Sequence, residues 1–219
     1  MGNKIRIAID GPSGAGKSTI AKRVARLLGI DYIDTGAMYR AIGLAILQNG
    51  IGLGDQEALK RLLAETEIDF TGGNTVLDGV IVNDRIRTPE VSKMASDCSA
   101  LPEVREKLVA LQKKMGQTKS IVMDGRDIGT NVLADAEYKF FMTASAAERA
   151  KRRWLELSEK GEAADLAQVE ADIVQRDHND SSRQLNPLKK ADDALELDTT
   201  GMTVEEVTQK ILEVVKWQS

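Results

Sequence analysis

The stretch Gly11-Pro12-Ser13-Gly14-Ala15-Gly16-Lys17-Ser18 constrains this chain more than any other. It follows the apolar run Ile5 to Ile9 and precedes Thr19 to Leu28, whose apolar residues recur at helical spacing, so the pieces read as strand, glycine loop and helix. That is the context in which the pattern G-x-x-x-x-G-K-S/T cradles a polyphosphate. Its glycines let successive backbone N–H groups turn inward around the phosphates, and the helix opening at Gly16 adds its positive N-terminal end. Lys17 supplies a point charge for the β- and γ-phosphates, and the Ser18 hydroxyl is placed to ligate Mg2+. A dinucleotide fingerprint does not fit, because Thr19 stands where the third glycine would be. The loop therefore implies a bound nucleoside triphosphate and leaves open what is done with it.

Composition narrows the class. A chain of 219 residues, 42% hydrophobic, suffices for one sizeable core with smaller lobes. A formal net charge of -4 argues against a general nucleic-acid or anionic-membrane surface, so any anion must be met by local arginines. The single cysteine, Cys98, leaves no internal disulfide and no cysteine zinc site, which suits a reducing cytoplasm. No apolar run reaches membrane-spanning length, and Met1 leads into the first strand without a signal-peptide core. The expectation is a cytoplasmic monomer with no nucleic-acid or membrane partner.

Taken in order, the chain alternates strands and helices. Strands are expected at Lys4–Ile9, Asp31–Asp34, Ser120–Asp124, Tyr138–Met142 and Leu195–Asp198, separated by helix-period segments. This is the rhythm of an α/β fold, a five-stranded parallel sheet with helices on both faces. A helix is expected over Ala37–Gln48, opened by Thr35-Gly36. Others run over Glu103–Met115, Ser145–Glu159 and, last, Val204–Lys216. Residues 67–83 break the rhythm, reading as three short strands, Ile68–Thr71, Thr75–Asp78 and Val80–Asn83, with turns at Gly72-Gly73-Asn74 and Asp78-Gly79. They form a small antiparallel insert. Lys160-Gly161-Glu162 reads as a hinge or tip, and Trp154 and Trp217 as packing residues.

In open α/β sheets the ligand lies beyond the carboxyl ends of the strands. The residues there are Asp10 with the glycine loop, Asp34-Thr35, and Asp124-Gly125-Arg126-Asp127. Asp124 ends an apolar strand, a position that in many phosphate-loop proteins holds Mg2+ directly or through water. Arg40 and Arg126 are candidates for a second anion. Arg176, Asp180 and Arg183 share helical spacing, as do Arg149, Arg152 and Arg153, although spacing alone fits a solvated, salt-bridged face equally well. The only histidine, His178, lies off the first of these faces and is not taken as a base.

The residues Gly11 to Lys17, Asp34-Thr35-Gly36-Ala37-Met38-Tyr39-Arg40, Ile86-Arg87-Thr88, Val104-Arg105, Asp124-Gly125-Arg126-Asp127-Ile128-Gly129 and Arg176-Asp177 with Asp180 and Arg183 together resemble the bacterial cytidylate kinases, nucleoside monophosphate kinases of the P-loop class. The similarity spans nearly the whole chain. It implies phosphorylation of CMP and dCMP by ATP with Mg2+ and no tightly bound organic cofactor. The core is then 1–34, 118–148 and 166–219, the monophosphate lobe 35–117 and the lid 149–165. ATP is expected on Gly11, Pro12, Ser13, Gly14, Ala15, Gly16, Lys17, Ser18 and Thr19, and Mg2+ on Ser18, with Asp124 as a second candidate acting directly or through water. Arg40, Arg126 and Arg183 would take the acceptor phosphate, Arg176 and Asp180 the sugar, and Ser96, Arg105 and Asp127 the base, with Thr35 beside them. Lys17, Arg126, Arg152 and Arg153 would serve the transfer itself.

The chemistry of cytosine agrees with that assignment. Its N4 amine donates while N3 and O2 accept, so a carboxylate such as Asp127 with donors such as Arg105 and Ser96 forms a complementary set. The acceptor phosphate is already ionised at neutral pH, so no general base is needed. Two other readings stay open on the residues alone. A small-metabolite kinase of the same core would share the arginines, and a regulatory GTPase would share the loop, although no Asn-Lys-x-Asp motif follows a later strand. The loop Asp198-Thr199-Thr200-Gly201 is a candidate adenine neighbour.

Overall fold

The computed structural model describes residues 4–71, 73–159 and 161–215. Gly72 of the expected hairpin turn, Lys160 of the expected tip, and Lys216 and Trp217 at the end of the chain lie outside the described residues. Two compact units emerge, one of Met1–Tyr32 with Thr118–Ser219 and the other of Ile33–Gln117.

The central sheet contains β1 (Arg6–Asp10), β2 (Asp31–Asp34), β6 (Ile121–Gly125), β7 (Tyr138–Thr143) and β8 (Leu195–Asp198), in the order β2-β6-β1-β7-β8. β1 pairs in parallel with both β6 and β7, and β7 with β8. Every residue of β6 is buried, as a central parallel strand covered on both faces demands. The sheet is the expected five-stranded parallel one, and three of its strands run one residue past the expected ends, at Asp10, Gly125 and Thr143. Strand pairing continues to the point where the chain turns away, which apolar pattern alone does not mark.

In the first unit, α1 (Lys17–Leu28) and α8 (Val204–Val214) join the sheet in one apolar cluster that includes Ile7, Ile9, Val24, Val122, Phe140 and Ile211. α8 opens with a capping box, in which Thr203 and Glu206 satisfy each other's backbone N–H groups. α6 (Ala146–Glu159) and α7 (Leu166–Ser182) pack on each other through Ala150, Val169 and Ile173.

The second unit is built on α2 (Thr35–Gln48), whose long buried face includes Met38, Ile42 and Ile46. The helix starts at Thr35 rather than Ala37, because Asp34 Oδ1 accepts from Ala37 N at 2.8 Å and so caps it two residues earlier than expected. Two helices had no counterpart in the sequence expectation, α3 (Gln56–Glu65) and α4 (Pro89–Cys98). Each is short and carries its own cap, Asp55 for α3 and Thr88 with Pro89 in the first turn for α4. α5 (Pro102–Thr118) completes the helices of this unit.

The antiparallel insert has the order β3 (Ile68–Thr71), β4 (Asn74–Leu77), β5 (Val80–Ile81). β5 stops at Ile81 instead of reaching Asn83. The Asn83 side chain turns back on the sheet, its Oδ1 accepting from Thr75 N at 2.8 Å and its Nδ2 donating to Asn74 Oδ1 at 2.6 Å. Among the described residues no helix is long and apolar enough to cross a membrane.

Candidate active site

β1 delivers the chain into Gly11 at φ 148°, where a Cβ would lie 2.0 Å from the Met142 carbonyl oxygen, so only glycine fits. α1 then starts behind Gly16, which has no side chain with which to cap the helix, an N-terminus of the kind that suits an anion. Lys17 is buried and its Nζ donates to Pro12 O at 2.7 Å. Burial pushes its pKa down and neighbouring Arg126 pushes it further, against the pull of Asp124, Asp10 and Asp180. A polyphosphate arriving beside this ammonium favours its charged form.

The loop is also held from outside. Arg149 of α6 donates through Nη1 to Ser13 O at 2.9 Å and to Asp177 Oδ2 at 2.6 Å. Asp177 of α7 in turn accepts from Ser13 N at 3.2 Å. Both α6 and α7 thus grip one residue of the glycine loop.

Ser18 Oγ donates to Asp124 Oδ2 at 2.8 Å, and Tyr32 Oη donates to Asp124 Oδ1 at the same distance. Among the described residues no group of three or more His, Cys, Asp or Glu side chains gathers to hold a metal alone. A hydroxyl and a carboxylate suit Mg2+, a hard cation that keeps phosphate and water as its other ligands.

Beyond β6 the chain carries Arg126 and Asp127. Arg126 Nε donates to Asp180 Oδ2 at 2.6 Å, and Arg183 reaches the same carboxylate with Nη1 3.6 Å from Oδ1. Arg183 Nη2 lies 3.8 Å from Asp127 Oδ1. Burial alone would raise the pKa of Asp180, yet Arg126, Arg183 and Arg176 hold it below the usual carboxylate range. Arg183 follows the last residue of α7 with a helical φ of −65°, so it still meets Asp180 at the expected i, i+3 spacing, and only the chain after it turns extended. Asp127 Oδ2 accepts from Asn131 Nδ2 at 3.1 Å. The result is an alternating row, Asp127, Arg183, Asp180, Arg126, in which cationic groups outside their mutual pairs can meet a phosphate or a sugar hydroxyl.

In the second unit Asp34 Oδ2 accepts from Arg40 Nη2 at 3.0 Å, while Thr35 is the buried first residue of α2. Arg105 is buried on α5, with Nη1 3.4 Å from Ser99 O and its guanidinium 5.8 Å from the Tyr39 ring centroid. Ser96 lies on α4, its carbonyl accepting from Ser99 Oγ at 2.8 Å.

A family model described as Cytidylate kinase matches residues 7–217. The chain belongs to the cytidylate kinase family. A protein named Cytidylate kinase from Caldicellulosiruptor saccharolyticus is 54% identical over 215 residues, covering 96% of this chain and 95% of the relative. The fold is also similar to that of an uncharacterized protein from Eubacterium ventriosum, at TM-score 0.55 and 15% identity over 97% of this chain and 98% of the other. A gluconokinase from Sinorhizobium meliloti has TM-score 0.50 and 12% identity over 96% and 92%. At such identities the likeness is one of fold.

For this member of the cytidylate kinase family, several expected site residues fall into clusters. Ser18 joins Asp124, Asp180 gathers Arg126 and Arg183, and Asp127 lies at the edge of that second group. Arg152 and Arg153 diverge on α6. Arg152 donates through Nη2 to Thr199 O at 2.8 Å and through Nη1 to Thr199 Oγ1 at 3.2 Å, whereas Arg153 pairs with Glu156 at 3.0 Å. His178 is exposed on α7. Four residues acquire importance only here: Tyr32, Asn131, Asp177 as partner of Arg149, and Asp10. Asp10 and Asp177 do stand within recognisable motifs, but nothing local to Tyr32 or Asn131 announces a carboxylate partner.

Proposed function

We propose that this chain transfers the γ-phosphoryl group of ATP to CMP or dCMP, giving ADP and CDP or dCDP. One observation carries the reading: the strand end that binds the loop serine through Asp124 continues, within three residues, into Arg126 and Asp127 beside Asp180 and Arg183. Donor and acceptor chemistry thus share one framework. Family membership names the acceptor.

In this reading Gly11, Pro12, Ser13, Gly14, Ala15, Gly16, Lys17, Ser18 and Thr19 bind ATP. Mg2+ arriving with ATP would be held by Ser18, with Asp124 directly or through water, and would neutralise charge on the phosphates. Arg126 and Arg183 hold the acceptor phosphate, Arg176 and Asp180 the sugar, and Asp127 the cytosine amine. Thr35, Arg40, Ser96 and Arg105 are further CMP ligands on residue-by-residue resemblance. The acceptor phosphate attacks in line without a general base, so the protein's task is to offset the repulsion of two polyanions. Lys17, Arg126 and a lid arginine, Arg152 or Arg153, do so, and segment 149–165 closes as a lid that excludes water. The enzyme works as a cytoplasmic monomer, with 35–117 as its monophosphate lobe.

The test is an ATP-dependent phosphorylation screen over CMP, dCMP, UMP, AMP and shikimate. CMP and dCMP should lead by at least one decade in kcat/KM. Preference for shikimate would assign the chain to small-metabolite phosphorylation, and GTP hydrolysis without any acceptor to a switch.

A further inference from the structure

Asp10 is a buried carboxylate to which the phosphate-transfer reading gives no task. It is the last residue of β1, immediately before Gly11. Its Oδ1 accepts from Ile128 N at 2.9 Å and its Oδ2 from Gly129 N at 2.7 Å. These two N–H groups open a wide helical turn, Ile128–Val132, and the residue before the turn is Asp127. Asn131 ties the turn from its other side, its backbone N donating to Asp127 O at 3.0 Å and its Nδ2 to Asp127 Oδ2 at 3.1 Å.

The contact is close on every side. A Cβ on Gly129 would lie 3.3 Å from Asp10 Oδ2 and 3.3 Å from Lys139 Cδ. Holding a carboxylate here is unfavourable in itself, since burial raises its pKa to about 6 against the two backbone hydrogen bonds that stabilise the ion. An apolar filler would avoid that penalty but would leave both N–H groups without acceptors. An asparagine could satisfy only one of them, because its amide nitrogen would face the other as a second donor.

We propose that Asp10 is the positioning residue for Asp127, its two carboxylate oxygens holding the 128–129 backbone so that the Asp127 carboxylate is aimed at the acceptor base. The strand end that starts the phosphate loop then also sets the base-reading turn. The proposal rests on the CMP reading above.

Two variants disturb the contact from opposite sides: Asp10→Asn removes one acceptor and the charge, and Gly129→Ala keeps the charge and adds a methyl group. For both, KM for CMP should rise on the order of tenfold and the CMP-over-UMP ratio in kcat/KM should fall by a similar factor, as for loss of one buried acceptor. The Kd for ATP, measured by calorimetry without acceptor, should move by less than about threefold. A merely structural role would shift both substrates together. An ATP Kd that rises as much as the CMP KM, or a CMP KM and selectivity that stay within about twofold of wild type, overturns the proposal. Should Asp10→Asn not fold, Gly129→Ala decides by the same two numbers, since its methyl would lie 3.3 Å from Asp10 Oδ2 while the carboxylate itself is kept. Wild-type protein that phosphorylates no CMP overturns the CMP reading and this proposal with it, a failure visible before any variant is made.

Discussion

Ser18 Oγ donates to Asp124 Oδ2 across 2.8 Å, joining the phosphate loop to the end of β6. Tyr32 holds the other carboxylate oxygen at the same distance, so Asp124 has a fixed orientation before any metal arrives. Replacing Asp124 by Asn should lower turnover by about 10²–10³ and raise the Mg2+ concentration needed for half-maximal rate. Tyr32→Phe removes one hydrogen bond worth about 1 kcal/mol, so its Mg2+ requirement should rise only about fivefold. Initial rates over a Mg2+ titration check both. Unchanged titration curves would remove Asp124 from the metal site.

Lys17 is buried, with its ammonium drawn onto Pro12 O. Lys17→Met removes a desolvated charge while keeping the stem, so the variant should melt no lower than wild type yet lose at least about 10² in turnover. Thermal melts beside steady-state kinetics test this. A variant that turns over normally would disprove the phosphate-loop assignment.

Asp127 presents an acceptor, Oδ1, with Arg183 Nη2 3.8 Å away. In the proposed pose CMP would offer that acceptor an amine, whereas UMP would set a carbonyl against it, a mismatch of about 1–3 kcal/mol. CMP is expected to be preferred over UMP by one to two decades or so, and Asp127→Ala to erase most of the difference. Equal selectivity in wild type and variant would deny Asp127 the base.

Two buried carboxylates should mark the pH profile with opposite signs. The pKa of Asp10 is raised to about 6 from an ordinary 3.8, so its contribution to stability is full below the ordinary value and is lost as pH rises through about 6. Asp180 is shifted down, so its contribution is present above the ordinary value and is lost as pH falls through its folded value. Against wild type, Asp10→Asn should remove a decline in unfolding free energy between about pH 4 and 6.5, at most about 3 kcal/mol. Asp180→Asn should flatten the acid limb below about pH 4. Urea unfolding of the three proteins across this range measures both slopes, and parallel curves would show that neither group is linked to folding.

The Arg149 guanidinium bridges Ser13 O and the Asp177 carboxylate in a largely buried site. Arg149→Met leaves Asp177 without its ion-pair partner, and such losses cost about 3 kcal/mol in buried settings. The melting temperature should fall and ATP affinity weaken, since Ser13 loses its carbonyl tether. Asp177→Asn, which keeps an acceptor for Arg149, should do less on both counts. A variant Arg149→Met with wild-type ATP affinity would mean that the grip on Ser13 does not shape the loop.

Strands such as β1 and β6 were legible because each is a short apolar run leading into a carboxylate, Asp10 or Asp124, and the phosphate loop because its spacing is local. The hairpin insert was legible from its turn residues, with Asp78 at φ 50° and Gly79 at φ 79° marking one turn. Helices α3 and α4 were not, since each spans only ten residues and buries a few side chains, too little for periodicity to stand out. Arg176, Asp180 and Arg183 carried helical spacing, and Arg183 does meet Asp180 at i, i+3; what spacing could not show is that Arg126 and Asp127 arrive beside them from the end of β6.

By itself the sequence determined whatever depends on neighbours along the chain: the glycine loop, the strand–helix alternation, the caps and the residue types available for anion chemistry. Only the tertiary structure decided the partners of buried polar groups. Asp10 meets Ile128 across 118 positions, Ser18 meets Asp124 across 106, and Arg149 meets Ser13 across 136. The reason is physical. A buried carboxylate or guanidinium must find hydrogen-bond partners wherever packing brings them, and those partners are set by how strands align in the sheet. The register of β1 against β6, with Asp10 opposite Gly125, carries Asp10 to the turn that follows Asp127.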